Sequence, residues 1–413
     1  MRRAGLAALI GAGLVWAGSA FGAPRAFVLD PPPGMTVERV VMLFRHGVRA
    51  PIAGEASLAA DQPWPQWTTQ AERLTPHGHD AMRLIGRFDR DLFVREGLLE
   101  SKQCPSADDL SIWTNIAERT IESGQGLAEG LAPDCALSVG HRPLDQTDPL
   151  FDPSAIAPFD ASAAIASITA ATGGLDRLVA SRRAAFDVLE AMLGCPNQGP
   201  AASCDLAGQA STLAASADEK GLDFTGPIKP AAGTAQVLLL QYAEGLPRAE
   251  VGWGRATRAG IAQIASLHAL QLEVLYRAPY MARRWAWAMG PKVADVLAGR
   301  DAGQSGRIAL LVGHDDNIAA LTGLLGVHID LAGYGRDDPP PGSALGFEVL
   351  RERRSGRRFV RLFYQSQSLE QLRALAPLSL ARPPLIAVLD PACARGRRHL
   401  CPLPAAEALL KPQ

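Results

Sequence analysis

Nothing in this chain repeats, and no heptad run or tract of one charge sign stands out. Its 41 basic and 42 acidic residues leave a net charge of −1. That excludes the one-signed field by which nucleic acid or an anionic membrane surface attracts a protein. No CxxC pair occurs, and His77, His79, His141, His268, His328 and His399 form no ligand-spaced set, so zinc-site patterns are missing. Past the N-terminal leader, no segment is long and apolar enough to cross a membrane. Aromatic residues make up only 6% of the chain, and lysine is scarce beside arginine. Apolar residues, by contrast, make up 47% of 413 residues, ample for a large core. That length predicts two domains, or one large domain carrying an insertion.

The N-terminus has a basic start (Arg2, Arg3), an apolar run from Leu6 to Ala20 and a small-residue zone ending at Ala23. This is the pattern of a secretory signal peptide over residues 1–23, too short for a membrane anchor. Removing it predicts a periplasmic or secreted chain with no membrane association. The six cysteines (Cys104, Cys135, Cys195, Cys204, Cys393 and Cys401) then read as disulfides, because an exported chain meets an oxidising compartment. Six cysteines allow fifteen pairings. Pairing neighbours is the simplest: Cys104–Cys135, Cys195–Cys204 and Cys393–Cys401.

Elements can be placed by pattern. Val37 to Phe44 reads as an apolar strand. Thr75-Pro76 predicts a helix start, since Thr caps well and Pro fits the first turn, and Met82, Ile85, Phe88 and Leu92 follow at helical spacing. A short strand at 110–114 leads into a helical stretch at 116–131. Residues 151–254 are Ala- and Ser-rich and helical by pattern (163–171, 175–193, 231–242), which predicts an inserted α-helical domain. The core is then 34–150 with 255–413, including a long helix near 261–276. Arg307 to Val312 is a run of the kind buried on both faces of a sheet, and a helix with Ile318, Leu321 and Leu325 follows it to Gly326. Strands at 346–350 and 359–364 pair as a hairpin over Ser355-Gly356. Strands alternating with helices predict an α/β core sheet flanked by helices.

Two charged motifs end strands, where open α/β sheets bind ligands. The first is Arg45-His46-Gly47-Val48-Arg49-Ala50-Pro51. Paired guanidinium groups suit a tetrahedral dianion, because each planar fork makes parallel charge-assisted hydrogen bonds. An imidazole between them is placed to attack phosphorus, and the adjacent cations lower its pKa, keeping it neutral in mild acid. The second motif is Gly313-His314-Asp315-Asp316-Asn317. Taken alone, a His-Asp pair at a strand end is more often structural than catalytic.

These residues resemble the histidine acid phosphatase family, the branch of the histidine phosphatase superfamily with an RHGxRxP motif. The resemblance implies that His46 is the nucleophile and becomes a phosphohistidine, while Arg45, Arg49 and His314 hold the phosphoryl oxygens. Asp315 would be the acid that protonates the leaving oxygen. Its place at a helix N-terminus lowers its pKa, and a bound dianion raises it. Glu118-Arg119-Thr120, unremarkable alone, matches the family's Arg-Thr pair and adds Arg119 to the phosphate pocket. Such a set supplies positioning and charge without a metal or cofactor. Leu74-Thr75-Pro76-His77-Gly78, Asp148-Pro149-Leu150-Phe151 and Gly252-Trp253-Gly254-Arg255 are similar to the bacterial periplasmic phytases and glucose-1-phosphatases, and the neighbour disulfides fit that subgroup. The resemblance thus implies a monomeric enzyme for small phosphate monoesters, a phytase first, with a glucose-1-phosphatase or a broad acid phosphatase as alternatives.

Departures bear on substrate. Phytases often carry Thr and Lys where this chain has Ile52 and Ala53, and HDTN where it has Asp316. A lost cation and a gained carboxyl predict a rim less suited to a polyanion. Glu250 sits where relatives contact substrate, and equally where a loop carboxylate is simply solvated. Three rivals remain at this stage: a metal phosphatase built on the GHDDN ligands, a cytosolic mutase of the same superfamily, which the leader and cysteines oppose, and a periplasmic phosphate-ester binding protein without activity.

Overall fold

The computed structural model describes residues 27–195, 205–217, 219, 221–301, 306–396 and 399–411. The leader and Cys204 lie outside the described residues. Chain order begins with β1 (Met35–Arg45), α1 (Pro76–Arg95), β2 (Leu110–Thr114), α2 (Glu118–Leu131) and β3 (Val139–Gly140). Next come α3 (Ala161–Thr172), α4 (Leu175–Ala180), α5 (Arg183–Leu193), the short strands β4 (Thr212–Ala215) and β5 (Leu222–Thr225), and α6 (Ile228–Ala243). Four helices and a strand follow: α7 (Arg258–Leu272), α8 (Pro279–Trp285), α9 (Met289–Ala298), β6 (Ile308–Gly313) and α10 (Asp315–Leu325). The chain closes with β7 (Ala344–Glu352), β8 (Arg358–Ser366), α11 (Leu369–Arg373), β9 (Leu385–Leu389), β10 (Cys401–Pro402) and α12 (Leu403–Leu410).

The main sheet runs β10-β8-β7-β1-β6-β2-β3, with β9 also on β8. β1 is parallel to β6 and antiparallel to β7, and β6 is parallel to β2. Side chains alternate across a strand, and β1 uses both faces. Val41 and Leu43 enter a core layer with α6, α7 and α10, whereas Val40, Met42 and Phe44 enter a second layer with α1 and α2. This double burial explains the unbroken apolar run that precedes the first motif. Because β1 and β6 are in parallel register, Arg45 lies beside Gly313 and both motifs leave the same sheet edge.

Local chemistry sets the helix starts. The Thr75 hydroxyl accepts from the Gly78 amide at 2.8 Å, with Pro76 in the first turn. Gly78 is required by proximity, since a Cβ there would lie 2.1 Å from the Val48 carbonyl oxygen. α10 begins at Asp315, a turn before its first apolar residue, because the Asn317 side chain accepts from the His314 amide at 3.0 Å. Both carboxyls of the second motif therefore stand in the first helical turn.

The Ala/Ser-rich segment differs in detail from its pattern. The stretch 175–193 is two helices, α4 and α5, broken at Ser181–Arg182. The strands β4 and β5 form an antiparallel hairpin that no helical periodicity announces. Cys104–Cys135 and Cys393–Cys401 are disulfides, and Cys195 is disulfide-bonded as well. Among the described residues, no helix is long and apolar enough to cross a membrane.

Candidate active site

A cavity of about 450 Å³ opens at the carboxyl ends of β1 and β6 and is lined by His46, Arg49, Arg119, His314, Asp315 and Asp316, among others. Arg45, His46 and Arg49 are all nearly buried, at 1%, 3% and 5% exposure. The His46 amide donates to the Gly313 carbonyl at 3.0 Å, tying the two strand ends together. Gly47 lets α1 approach, because a Cβ there would lie 2.9 Å from the Gly78 carbonyl oxygen.

His46 has a fixed tautomer. Its Nδ1 lies 2.8 Å from the Gly47 carbonyl oxygen, which can only accept, so Nδ1–H donates and Nε2 keeps its lone pair. The His314 ring stands edge-on to it, with centroids 5.4 Å apart. Burial, then Arg119, His314, Arg45 and Arg49, hold the His46 imidazole well below its usual pKa. Burial, with Arg119 as the largest nearby charge, lowers His314 to about 3. Both rings are neutral in mild acid, as the flanking arginines predicted for His46.

The three arginines share one feature. Arg45 directs Nη1 to the Pro339 carbonyl at 2.5 Å and Nη2 to Gln236 Oε1 at 2.9 Å. Arg49 grips Glu55 with both terminal nitrogens at 2.8 Å, and Glu55 also accepts from the Ile52 amide. Arg119 reaches Glu72 at 3.8 Å. In each of the three, the Nε–H is buried without a hydrogen-bond partner among the described residues. A buried charged donor left unpaired costs at least about 1–3 kcal/mol. The same three guanidinium groups are the fixed cations whose charge acts on His46.

Asp315 Oδ2 lies 2.9 Å from Arg45 Nη2 and 3.7 Å from His268 Nε2. Burial alone would raise its pKa, but Arg45, His268, His46 and His314 outweigh burial and hold the carboxyl well below the usual range. Asp316 behaves oppositely. Burial, then the charge of Asp315, raise it to about 8. It lines the cavity instead of an open rim, so the expected repulsive anion is a neutral acid in mild acid. Ile52 stands between this cavity and a second one of about 480 Å³, which Ala53 and Lys229 also line. Glu250 is exposed and lines neither.

Several site groups were not singled out in the sequence. Glu55 orients Arg49, and Gln236 comes from α6 inside the Ala-rich segment. His268 on α7 donates from Nδ1 to Asp338 Oδ1 at 2.6 Å and faces Asp315 with its other nitrogen. Asn115 Oδ1 accepts from the Ala117 amide at 2.9 Å where α2 begins, one turn before Arg119. Ser123 accepts from the Gly47 amide at 2.9 Å. Their sequence separations from the motif follow no period. Only a lone acid six residues after Arg49, in a Pro-rich loop, stood near enough to be noticed. Among the described residues, no group of three or more His, Cys, Asp or Glu could hold a metal ion.

An α/β sheet with a free imidazole nitrogen, convergent guanidinium groups and a carboxyl at one strand edge has the parts of a phosphoryl-transfer site. Comparison with known proteins agrees. The sequence profile of the histidine phosphatase superfamily (branch 2) matches residues 36–158. Phytase AppA of Escherichia coli is 33% identical over 385 residues, covering 87% of this chain and 88% of that protein. The glucose-1-phosphatase of Providencia rettgeri is 28% identical over 378 residues, covering 89% of each. The apo form of Hafnia alvei phytase superposes with a TM-score of 0.84 at 29% identity, over 92% of this chain and 97% of that one. The chain belongs to the histidine phosphatase superfamily, branch 2, and is a phosphoric monoester hydrolase.

Proposed function

We propose that the protein is an exported acid phosphomonoesterase that works through a phosphohistidine on His46, with phytate as its principal substrate. The observation that carries the mechanism is the free Nε2 of a neutral His46 beside the guanidinium groups of Arg45, Arg49 and Arg119. In this reading Arg45, Arg49, Arg119 and His314 hold the phosphoryl oxygens and Nε2 attacks in line. Asp315 protonates the leaving oxygen, then takes a proton from the water that cleaves the N–P bond. Export rests on the leader and on the disulfides, and places the working enzyme in the periplasm or outside the cell.

The phytate reading draws on the phytase relatives and on two features of the cavities. Asp316 does not add a negative charge in mild acid. Lys229, which pairs with no described residue, lines the adjoining cavity and offers the polyanion a cation in place of the one missing at Ala53. The test is a panel in mild acid, comparing phytate, glucose 1-phosphate and p-nitrophenyl phosphate. Highest kcat/KM on phytate supports the reading, and highest kcat/KM on glucose 1-phosphate replaces it with a glucose-1-phosphatase. Activity lost to a chelator and restored by a metal would replace the phosphohistidine mechanism.

A further inference from the structure

The acid in this mechanism lacks its proton. Arg45, 2.9 Å away, keeps Asp315 anionic, yet the leaving oxygen must receive a proton. The next residue, Asp316, shares the first turn of α10 and the same cavity. Its amide donates to Asp315 Oδ1 at 3.0 Å, and its own Oδ1 is buried with no hydrogen-bond partner. A carboxylate oxygen would be poorly placed there, whereas a carboxylic acid is tolerated. Adjacent carboxyls disfavour each other's ionisation, and their titrations belong to the pair.

We propose that Asp316 stores the proton that Asp315 delivers to the leaving group. This rests on the phosphohistidine reading above. The charged and titratable groups facing Asp316 are Asp315 on its own helix, Asp152 before α3, Arg119 on α2 and Tyr276 after α7, and the Asn317 amide bonds to it. In the empty site, Arg45 holds Asp315 ionised and the proton rests on Asp316. When a phosphoryl dianion engages Arg45, Arg49 and Arg119, it offsets the field that kept Asp315 anionic, and the proton passes from Asp316 to Asp315. Arg119 then faces the new Asp316 carboxylate. The His46 Nε2 lone pair forms the N–P bond, the P–O ester bond breaks with its electrons on the leaving oxygen, and the Asp315 proton joins that oxygen. In the second half, water forms the new P–O bond and the N–P electrons return to Nε2. Asp315 accepts the proton of that water, and release of phosphate returns it to Asp316.

The test uses the mature enzyme with Asp316→Asn and Asp316→Thr. Neither side chain ionises in the working pH range, and both can still donate a hydrogen bond. The two variants guard against loss of one through misfolding, which thermal unfolding at acid pH monitors. The readout is kcat/KM against pH for an alkyl phosphate, whose alkoxide leaves poorly, and for p-nitrophenyl phosphate, whose phenolate leaves readily. On the alkyl ester, the alkaline limb of the variants moves down by about one pH unit, and activity near neutrality falls about tenfold or more. On the aryl ester the loss is several-fold smaller. Equal losses on both esters, an unmoved limb, or a limb that moves up would each overturn the proposal. Failure of wild-type enzyme to form phosphohistidine on His46 would instead overturn the reading on which it rests.

Discussion

Phosphate binding should stabilise this protein by an amount that one hydrogen bond from each of three guanidinium groups, Arg45, Arg49 and Arg119, would set. Each hydrogen bond from a charged donor contributes about 1.5–2 kcal/mol net, so three give about 5 kcal/mol and a Kd of about 0.2 mM. At about 20 mM phosphate, roughly 100-fold above that Kd, the folded state gains about 2.7 kcal/mol. Unfolding entropy for 413 residues is roughly 0.8 kcal/mol per kelvin, so Tm rises by about 3 °C. Arg119→Ala removes one donor and weakens phosphate binding roughly 15–20-fold, leaving a rise of about 1 °C. Arg119 is the variant to use, because its one ion pair among the described residues, at 3.8 Å to Glu72, is long and its loss disturbs little. The assay is thermal unfolding in phosphate against chloride of equal ionic strength. No rise above the chloride control, or an identical rise in Arg119→Ala, would rule out phosphate binding by these guanidinium groups.

Stability should fall as pH rises from about 5 to 8, because burial raises Asp89 to about 7, with a hydrogen bond from Gln365 opposing it. The folded pKa lies above the unfolded value, so the contribution is complete below about 4 and is lost as pH climbs through about 7. Asp89→Asn should flatten that fall by on the order of 3 kcal/mol in chemical denaturation, and a slope equal to wild type would count against burial as the cause. Among the disulfides, Cys104–Cys135 spans 31 residues and Cys393–Cys401 spans 8. Loop entropy gives about 3.7 and about 2.5 kcal/mol, so Cys104→Ser with Cys135→Ser should lower Tm more than Cys393→Ser with Cys401→Ser. The reverse order would contradict the loop-length argument.

How far the chain could be read depended on the range of each interaction. β1, β6 and their motifs were legible because burial on both sheet faces writes a continuous apolar run, and polar residues at its end then stand out. α1 was legible from its cap, since Thr75 and Pro76 act within one turn. The break at Ser181–Arg182 was not, because apolar spacing continues across it. The partners that aim the arginines were hidden for a different reason. Gln236 lies 191 residues from Arg45, and Asp338 lies 70 from His268, so only the fold brings them together. Asp316 was legible as a departure from the phytase pattern but not in its sign. A sequence shows a carboxyl, while the charge it bears depends on burial and on Asp315 beside it.

A phosphohistidine mechanism puts a covalent phosphoryl group on His46 during turnover, and rapid quenching of enzyme acting on a phosphate-labelled substrate detects it. The label should survive alkali, be lost in acid, map to His46 and be absent from His46→Ala, whose kcat falls by several orders of magnitude. Label on any other residue, or a His46→Ala enzyme within about tenfold of wild type, would contradict it.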